Sequence, residues 1–369
     1  MPVLSRMIPA PLITEVGPGV MGNLRVLLND RRIAASGRLL VISNGGTSDQ
    51  IVSPLHKTFP EAHFVRRCPT RIEHVSELIE SIRSQAFEAV VGVGGGRVLD
   101  AAKYVATRLG IPSVMVPTAL AHDGLASPVS IMENDAGRGS YGVAAPIAVM
   151  VDLEVIGTAP PRFVRAGIGD VLSNLCAVAD WQLADARGLD LVDGMAAAMA
   201  RSAAGAVLQL PGSPTSLHFL TVLTESLLLS GLAMSVAGSS RPCSGACHEI
   251  SHAIDLTYPA STSMHGEQVA VGACFATMLR GDQDGFAMMV LAAHRFGLAL
   301  LPEDLGLTDD EFAFAVELAP DTRPGRHTIL EDLDLDRPAL NRAIGDYREQ
   351  ILALCPVPAI DPISVRPDF

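Results

Sequence analysis

Residues 248–255 read His-Glu-Ile-Ser-His-Ala-Ile-Asp, so two imidazoles stand four positions apart, a spacing that puts both on one face of a helix. With Glu249 between them this is the zinc-protease pattern, two histidines holding a metal ion and a glutamate serving as general base. The extended form of that pattern wants glycine and histidine further along, where this chain has Asp255 and Tyr258. A second grouping uses the same helix differently. His265, in Met-His-Gly-Glu-Gln, follows His248 by seventeen residues (265 − 248), and Asp170, in Gly-Ile-Gly-Asp, opens an apolar helical stretch. Two imidazoles and a carboxylate drawn from separate helices would leave coordination positions open, as a catalytic divalent ion requires.

A different chemistry is written between residues 89 and 110. "AVVGVGGGRVLDAAKYVATRLG" sets an apolar strand directly before Gly94, Gly95 and Gly96 and a helical pattern directly after them. Glycines there let a ligand approach the main chain, and the new helix offers free N–H groups and the positive end of its dipole, which suits a pyrophosphate. The spacing is not the usual Gly-x-Gly-x-x-Gly, and the turn does not follow the first strand. Asp100 in the first turn of the helix and the polar loop 116–128 after the next strand support a dinucleotide site, because ligands of doubly wound sheets bind at the carboxyl ends of the strands.

These residues need two kinds of scaffold. Strand-like runs at 38–45, 63–68, 89–96, 111–118 and 146–152 alternate with amphipathic stretches at 74–87 and 97–110, which predicts a mostly parallel sheet covered by helices. After about residue 158 the strand runs cease, and Ala-, Leu- and Met-rich segments of helical period take over. The expected organisation is an α/β nucleotide-binding domain over 1–157 and an all-α domain over 158–369, with the prolines of 157–163 marking the change.

Composition excludes several classes. The 369 residues carry a formal charge of -13, which disfavours a polyphosphate backbone spread over a broad surface and hence nucleic acid. The six cysteines form no Cys-x-x-Cys pair and no cleavable leader is visible, so a cytoplasmic protein with reduced thiols is expected. No uninterrupted apolar run of spanning length appears, and no membrane insertion is expected.

The blocks "GGGRVLDAAKYVA", "VPTALAHDGLASP", "RAGIGDVLSNL", "SRPCSGACHEISHAID" and "HGEQVAVG", in this order and at these separations, resemble the sn-glycerol-1-phosphate dehydrogenase family. That family stands in a wider group with glycerol dehydrogenase, iron-dependent alcohol dehydrogenases and dehydroquinate synthase. The resemblance implies a dehydroquinate synthase-like fold, an active site in the cleft between the two domains, and NAD or NADP with one divalent ion, zinc before nickel or iron. It implies Asp170, His248 and His265 as metal ligands, His252 as a substrate-contacting residue and Asp123 facing the substrate; the proton relay expected with them is His252 or an ordered water. The cofactor segments it implies are Gly95, Gly96, Arg97, Val98, Leu99 and Asp100, then Thr118, Ala119, Leu120 and Ala121, and Ser127, with Asn44, Gly45 and Thr47 towards the adenosine. The expected partner is a polyol phosphate or ketone phosphate, handled by a homo-oligomer. A phosphate needs a cation, for which Arg241 is the first candidate. Cys247 stands where relatives commonly carry Glu and Cys243 where they carry Ala, which leaves open another small polyol as substrate. A sugar-phosphate cyclase is the other alternative, disfavoured because those enzymes usually place Glu at the position of Asp170.

Overall fold

The computed structural model describes residues 8–135, 137–259 and 263–356. Its strands are β1 (Ile13–Gly17), β2 (Leu39–Ser43), β3 (His63–Val65), β4 (Ala89–Gly94), β5 (Ser113–Pro117), β6 (Val129–Asn134), β7 (Gly137–Gly142) and β8 (Ala148–Asp152). The first-half helices are α1 (Leu24–Leu28), α2 (Thr47–Thr58), α3 (Ile72–Ile82), α4 (Gly96–Leu109) and α5 (Leu153–Gly157). Beyond them come α6 (Pro161–Ala186), α7 (Gly194–Gln209), α8 (Leu217–Ala237), α9 (Ala246–Thr257), α10 (His265–Leu279), α11 (Gln283–Phe296), α12 (Asp309–Leu318), α13 (Ile329–Leu333) and α14 (Arg337–Leu354).

Six strands form one parallel sheet in the order β1-β8-β5-β4-β2-β3, and β6 and β7 form an antiparallel hairpin. A parallel sheet covered on both faces needs nearly continuous apolar strands. β2, β4, β5 and β8 satisfy this, every residue in them being buried. On one face Leu39, Val41, Val91, Val93, Val114, Val116 and Met150 pack with Ile51, Val52 and Leu55 of α2 and with Leu24, Leu27 and Leu28 of α1. β1 was not among the expected strands. Its sequence, Ile-Thr-Glu-Val-Gly, sits half-buried at the sheet edge and carries little apolar signal. The hairpin was also missed, because β7 is glycine-rich and half exposed.

The chain leaves β2 outward to β3 and then returns past β2 to β4, so the sheet reverses direction between β2 and β4. Loops following those two strands diverge there, which is where such sheets open a ligand crevice. Residues 44–47 and 95–97 occupy that position.

By internal contacts one compact unit comprises Met1–Ala119, Gly124–Thr158 and Gly231–Ser239, and the other Leu120–Asp123, Ala159–Ser230 and Ser240–Phe369. The second is helical. Its helices start where the sequence supplies caps: Asp193 accepts from the amides of Met195 and Ala196, Asp282 from Gly285, and Asp336 from Ala339. α8 has the length and apolarity of a membrane span, yet Phe219, Leu220, Leu223, Leu227 and Met234 are buried within the protein. Burial in a protein core accounts for its composition.

Candidate active site

Asp170, His248 and His265 come from α6, α9 and α10, and two glycines explain how they meet. A Cβ on Gly169 would lie 2.1 Å from the carbonyl oxygen of Gly266, and one on Gly266 would lie 1.9 Å from that of Ala166. No side chain fits at either position, so α6 and α10 touch backbone to backbone. Asp170 and His265 are the neighbours of these glycines, and the close crossing brings them face to face.

A buried carboxylate holds the third helix in register. Asp180 of α6 accepts from the Ala246 amide at 2.8 Å, capping the start of α9, and from the Ile329 amide at 3.0 Å, at the start of α13. The Arg280 guanidinium at the end of α10 donates to it at 2.5 Å. One fully buried side chain thus ties α6, α9 and α10 together, and losing it would strand its buried partners at a cost of about 3–5 kcal/mol.

His248 Nε2 and His265 Nε2 each lie 3.7 Å from Asp170 Oδ1, and ligand atoms of all three residues lie within 4.8 Å of one another. Ligands arranged tetrahedrally at zinc distances are about 3.4 Å apart, so a small adjustment would close the cluster around one ion. The electrostatics agree. Burial, reinforced by the Asp123 carboxylate, pushes the Asp170 carboxyl well above the usual range. Burial, then the neighbouring His265 and His252 rings and the Arg323 and Arg326 guanidiniums, push His248 well below its ordinary value. A buried carboxylate whose charge is costly and an imidazole kept neutral, with a lone pair to give, form a donor set that fits a divalent metal.

The hydrogen bonds behind His265 fix which nitrogen faces the cluster. Gln268 Nε2 donates to Asp255 Oδ1 at 3.3 Å and to Ser263 Oγ at 3.2 Å, which orients its Oε1 towards Ser251. The Ser251 hydroxyl has one proton and gives it to that oxygen at 2.6 Å, so towards His265 Nδ1, 2.9 Å away, it can only accept. Nδ1 thus carries the ring proton and Nε2 is bare for metal. Neither Ser251 nor Gln268 was singled out in the sequence.

His252 stays outside the cluster. Its Nδ1 lies 3.4 Å from Arg323 Nε, which can only donate, so a neutral His252 ring carries its proton on Nε2. Asp123, in the loop after β5, donates its amide to Asp170 Oδ2 at 2.9 Å and so orients the carboxylate. Glu249, the glutamate of the protease-like motif, is fully buried and points its Oε2 at the Thr328 hydroxyl, 3.1 Å away. Burial, then the Glu331 charge, push its carboxyl up to about 9. Cys243 and Cys247 are buried as well. Cys243 Sγ faces the Ser230 carbonyl at 3.4 Å, whereas Cys247 Sγ lies 3.9 Å from the Ser173 carbonyl and 3.4 Å from His248 Nδ1, against a ring of the cluster. Arg241 is committed elsewhere, to Asp190 at 2.7 Å and the His327 carbonyl at 3.0 Å.

At the end of β4 the chain turns through Gly95 into α4. Gly95 has no side chain with which to cap the helix, which leaves the first amides of α4, those of Gly96 and Arg97, for an anion. Arg97 is exposed, whereas the Val98 and Leu99 side chains are buried, so only the main chain of those two can serve a cofactor. Asp100 is buried 3.2 Å from Lys103, whose fully buried ammonium also donates to the Ser127 and Val129 carbonyls. This lysine, which the sequence reading passed over, anchors the segment containing Ser127 to α4. Thr118 donates its amide to the Gly94 carbonyl at 3.0 Å, bringing the second expected segment against the turn. Thr118, Ala119 and Ala121 are partly exposed, and the Leu120 side chain is buried. After β2, Asn44 Oδ1 accepts from the Cys68 amide, and Gly45 takes a left-handed conformation ahead of Thr47, the first residue of α2.

Residues 15–160 match the family described as iron-containing alcohol dehydrogenase. The fold is similar to that of a probable glycerol dehydrogenase from Sinorhizobium meliloti 1021, at 22% identity and a TM-score of 0.75, covering 94% of this chain and 99% of that one. It is similar also to glycerol dehydrogenase from Schizosaccharomyces pombe, at 19% identity and a TM-score of 0.74, covering 98% of each. The fold is thus shared with these dehydrogenase structures, and its first part carries the match to the iron-containing alcohol dehydrogenase family. Among curated relatives, glycerol-1-phosphate dehydrogenase (NAD(P)+) of Methanosarcina barkeri (strain Fusaro / DSM 804) is 36% identical over 323 residues, 85% of this chain and 89% of that protein. The protein of the same name from Hyperthermus butylicus is 33% identical over 341 residues, 91% and 96% of the two chains. The chain belongs to the glycerol-1-phosphate dehydrogenase family.

Proposed function

We propose that this protein interconverts sn-glycerol 1-phosphate and dihydroxyacetone phosphate by NAD(P)-linked hydride transfer. The observation that carries the reading is the convergence of Asp170, His248 and His265 within 4.8 Å, in a chain that also carries an uncapped, glycine-led helix after a central strand. Asp170, His248 and His265 would hold the divalent ion, zinc before nickel or iron, all of which accept two imidazoles and a carboxylate. Bound there, the ion supplies Lewis acidity at the substrate oxygen. The β4–α4 turn, Thr118–Ala121 and Ser127 would bind NAD or NADP, with the amides of Gly96 and Arg97 on the pyrophosphate.

The chain's own groups do the rest. Ketone reduction needs a proton at the carbonyl oxygen, and in this reading His252 would supply it from the Nε2 that its contact with Arg323 leaves protonated in the neutral ring. Asp123 orients Asp170 through its amide and offers its carboxylate to a substrate hydroxyl. The test is NADH and NADPH oxidation by metal-depleted and zinc-reloaded protein, with dihydroxyacetone phosphate beside dihydroxyacetone. Zinc-restored turnover of the phosphorylated ketone is expected; no turnover of it under any metal loading would overturn the reading.

A further inference from the structure

With Arg241 bound to Asp190, the phosphate of such a substrate needs another cation. Residues 323–326, Arg-Pro-Gly-Arg, form a tight turn: the Arg326 amide donates to the Arg323 carbonyl at 3.0 Å, and Gly325 has φ 83°. Proline then glycine at the two central positions is the sequence signature of a type II turn, in which the second central residue must be left-handed. The turn sets two arginines side by side at its ends. Arg326 donates to the Ser240 hydroxyl at 2.9 Å and to the Ser244 carbonyl, and Arg323 Nε reaches His252 Nδ1 at 3.4 Å. All of these partners are neutral acceptors. Among the described residues neither guanidinium has a carboxylate within ion-pair distance, in contrast to Arg241, Arg280 and Arg187.

We infer that the Arg323-Pro-Gly-Arg326 turn is the phosphate-binding element of the substrate site, gripping the anion beside His252. His252 follows His248 by one helical turn, about 5.4 Å along α9. In dihydroxyacetone phosphate three bonds separate the carbonyl carbon from phosphorus, so a substrate whose oxygen lies by His248 extends its phosphate about as far as the next turn. Arginine suits that end, because its planar fork donates two parallel hydrogen bonds to phosphate oxygens. The rigid turn fixes the fork in advance and lowers the ordering cost of binding. Arg323 then has two tasks, holding the phosphate and keeping the proton of His252 on Nε2.

The inference rests on the proposed reaction, and the experiment separates the two. Zinc-loaded wild type, Arg323→Gln, Arg323→Lys and Arg241→Gln are compared with dihydroxyacetone phosphate and dihydroxyacetone, and inorganic phosphate is titrated as a competitive inhibitor. Arg323→Gln should raise KM for the phosphorylated ketone about ten- to a hundredfold, the worth of one charge-assisted hydrogen bond. It should weaken phosphate inhibition by a similar factor and, through His252, lower kcat for both ketones alike, while KM for dihydroxyacetone changes far less than KM for the phosphorylated ketone. Arg323→Lys should recover part of both phosphate effects, and Arg241→Gln should cause neither. Equal KM changes for the two ketones, or unchanged phosphate inhibition in a folded Arg323→Gln protein, would overturn the turn's role. If Arg323→Gln misfolds, Arg323→Lys decides: phosphate inhibition identical to wild type would overturn it. Failure of wild type to reduce the phosphorylated ketone would overturn the reaction itself.

Discussion

At the β4–α4 turn the groups open to a proposed ligand are main-chain amides, whereas at the Asp170–His248–His265 cluster they are side chains contributed by three helices. Gly95 is only half-buried and makes no demand on its neighbours, and any main chain with its conformation would present the same N–H groups. Asp170 and His248 are held where their charged forms are costly, and their positions depend on a glycine crossing, a buried Asp180 and the Ser251–Gln268 pair. A backbone site can thus be assembled from neighbours in sequence, while a side-chain site needs support from residues scattered from Gly169 to Gln268.

The comparison predicts where each site breaks. The largest loss should come from a ligand: His265→Ala, assayed with zinc in excess, is expected to lower kcat/KM for dihydroxyacetone phosphate about a thousandfold, several kcal/mol of transition-state stabilisation. A drop under tenfold would remove His265 from the ligand set. Next comes its support. Ser251→Ala removes the acceptor for His265 Nδ1 and the donor for Gln268 Oε1. Zinc affinity, read by competition with a chromophoric chelator, should fall about ten- to a hundredfold. Unchanged affinity would mean that the helices alone orient the ring.

The backbone site should fail in a different manner. Gly95 has φ -78° and ψ -179°, open to any residue, and a Cβ there would meet nothing within 4 Å. Gly95→Ala should therefore melt like wild type while its methyl obstructs the approaching pyrophosphate. KM for the nicotinamide cofactor should rise about tenfold, roughly 1.4 kcal/mol. A variant that binds cofactor normally would show that the anion does not approach across Gly95.

The same contrast governs what the sequence disclosed. β4, the glycine turn and α4 are legible because an apolar run, a breaker and a helical period lie side by side. Asp170, His248 and His265 could be grouped by type, but spacing says nothing of the distance between α6 and α10. The family resemblance joined them, and the cause, Gly169 against Gly266, shows only in three dimensions. Arg323-Pro-Gly-Arg326 is readable as a turn from its own four residues. That it meets His252, seventy-one positions earlier (323 − 252), is not. Lys103 and Asp180 were missed because a lone charge in an apolar helix resembles a solvated one until its burial is known.

Glu249 is read through stability and not through binding or turnover, and tests the cost of the side-chain site. The Thr328 hydroxyl lies 2.6 Å from Glu331 Oε2 and 3.1 Å from Glu249 Oε2, and its single proton can serve only one of them. If it serves the ionised Glu331, Glu249 must bring a proton of its own, as a carboxyl pushed up to about 9 does at neutral pH. In the unfolded chain the same group titrates near its ordinary 4.5. Between those values the folded state binds more protons, so this group's contribution makes stability fall as pH rises through that window. Glu249→Gln imitates the protonated acid and should abolish the slope. In thermal melts of zinc-loaded protein the variant should match wild type near pH 4 and exceed it by a few degrees at pH 8. Curves that stay parallel across this range would show that Glu249 is ionised in the folded protein. A glutamate that keeps its proton and faces Thr328 cannot be the general base of a protease, so the pH profile also decides what the His-Glu-x-x-His spacing means here.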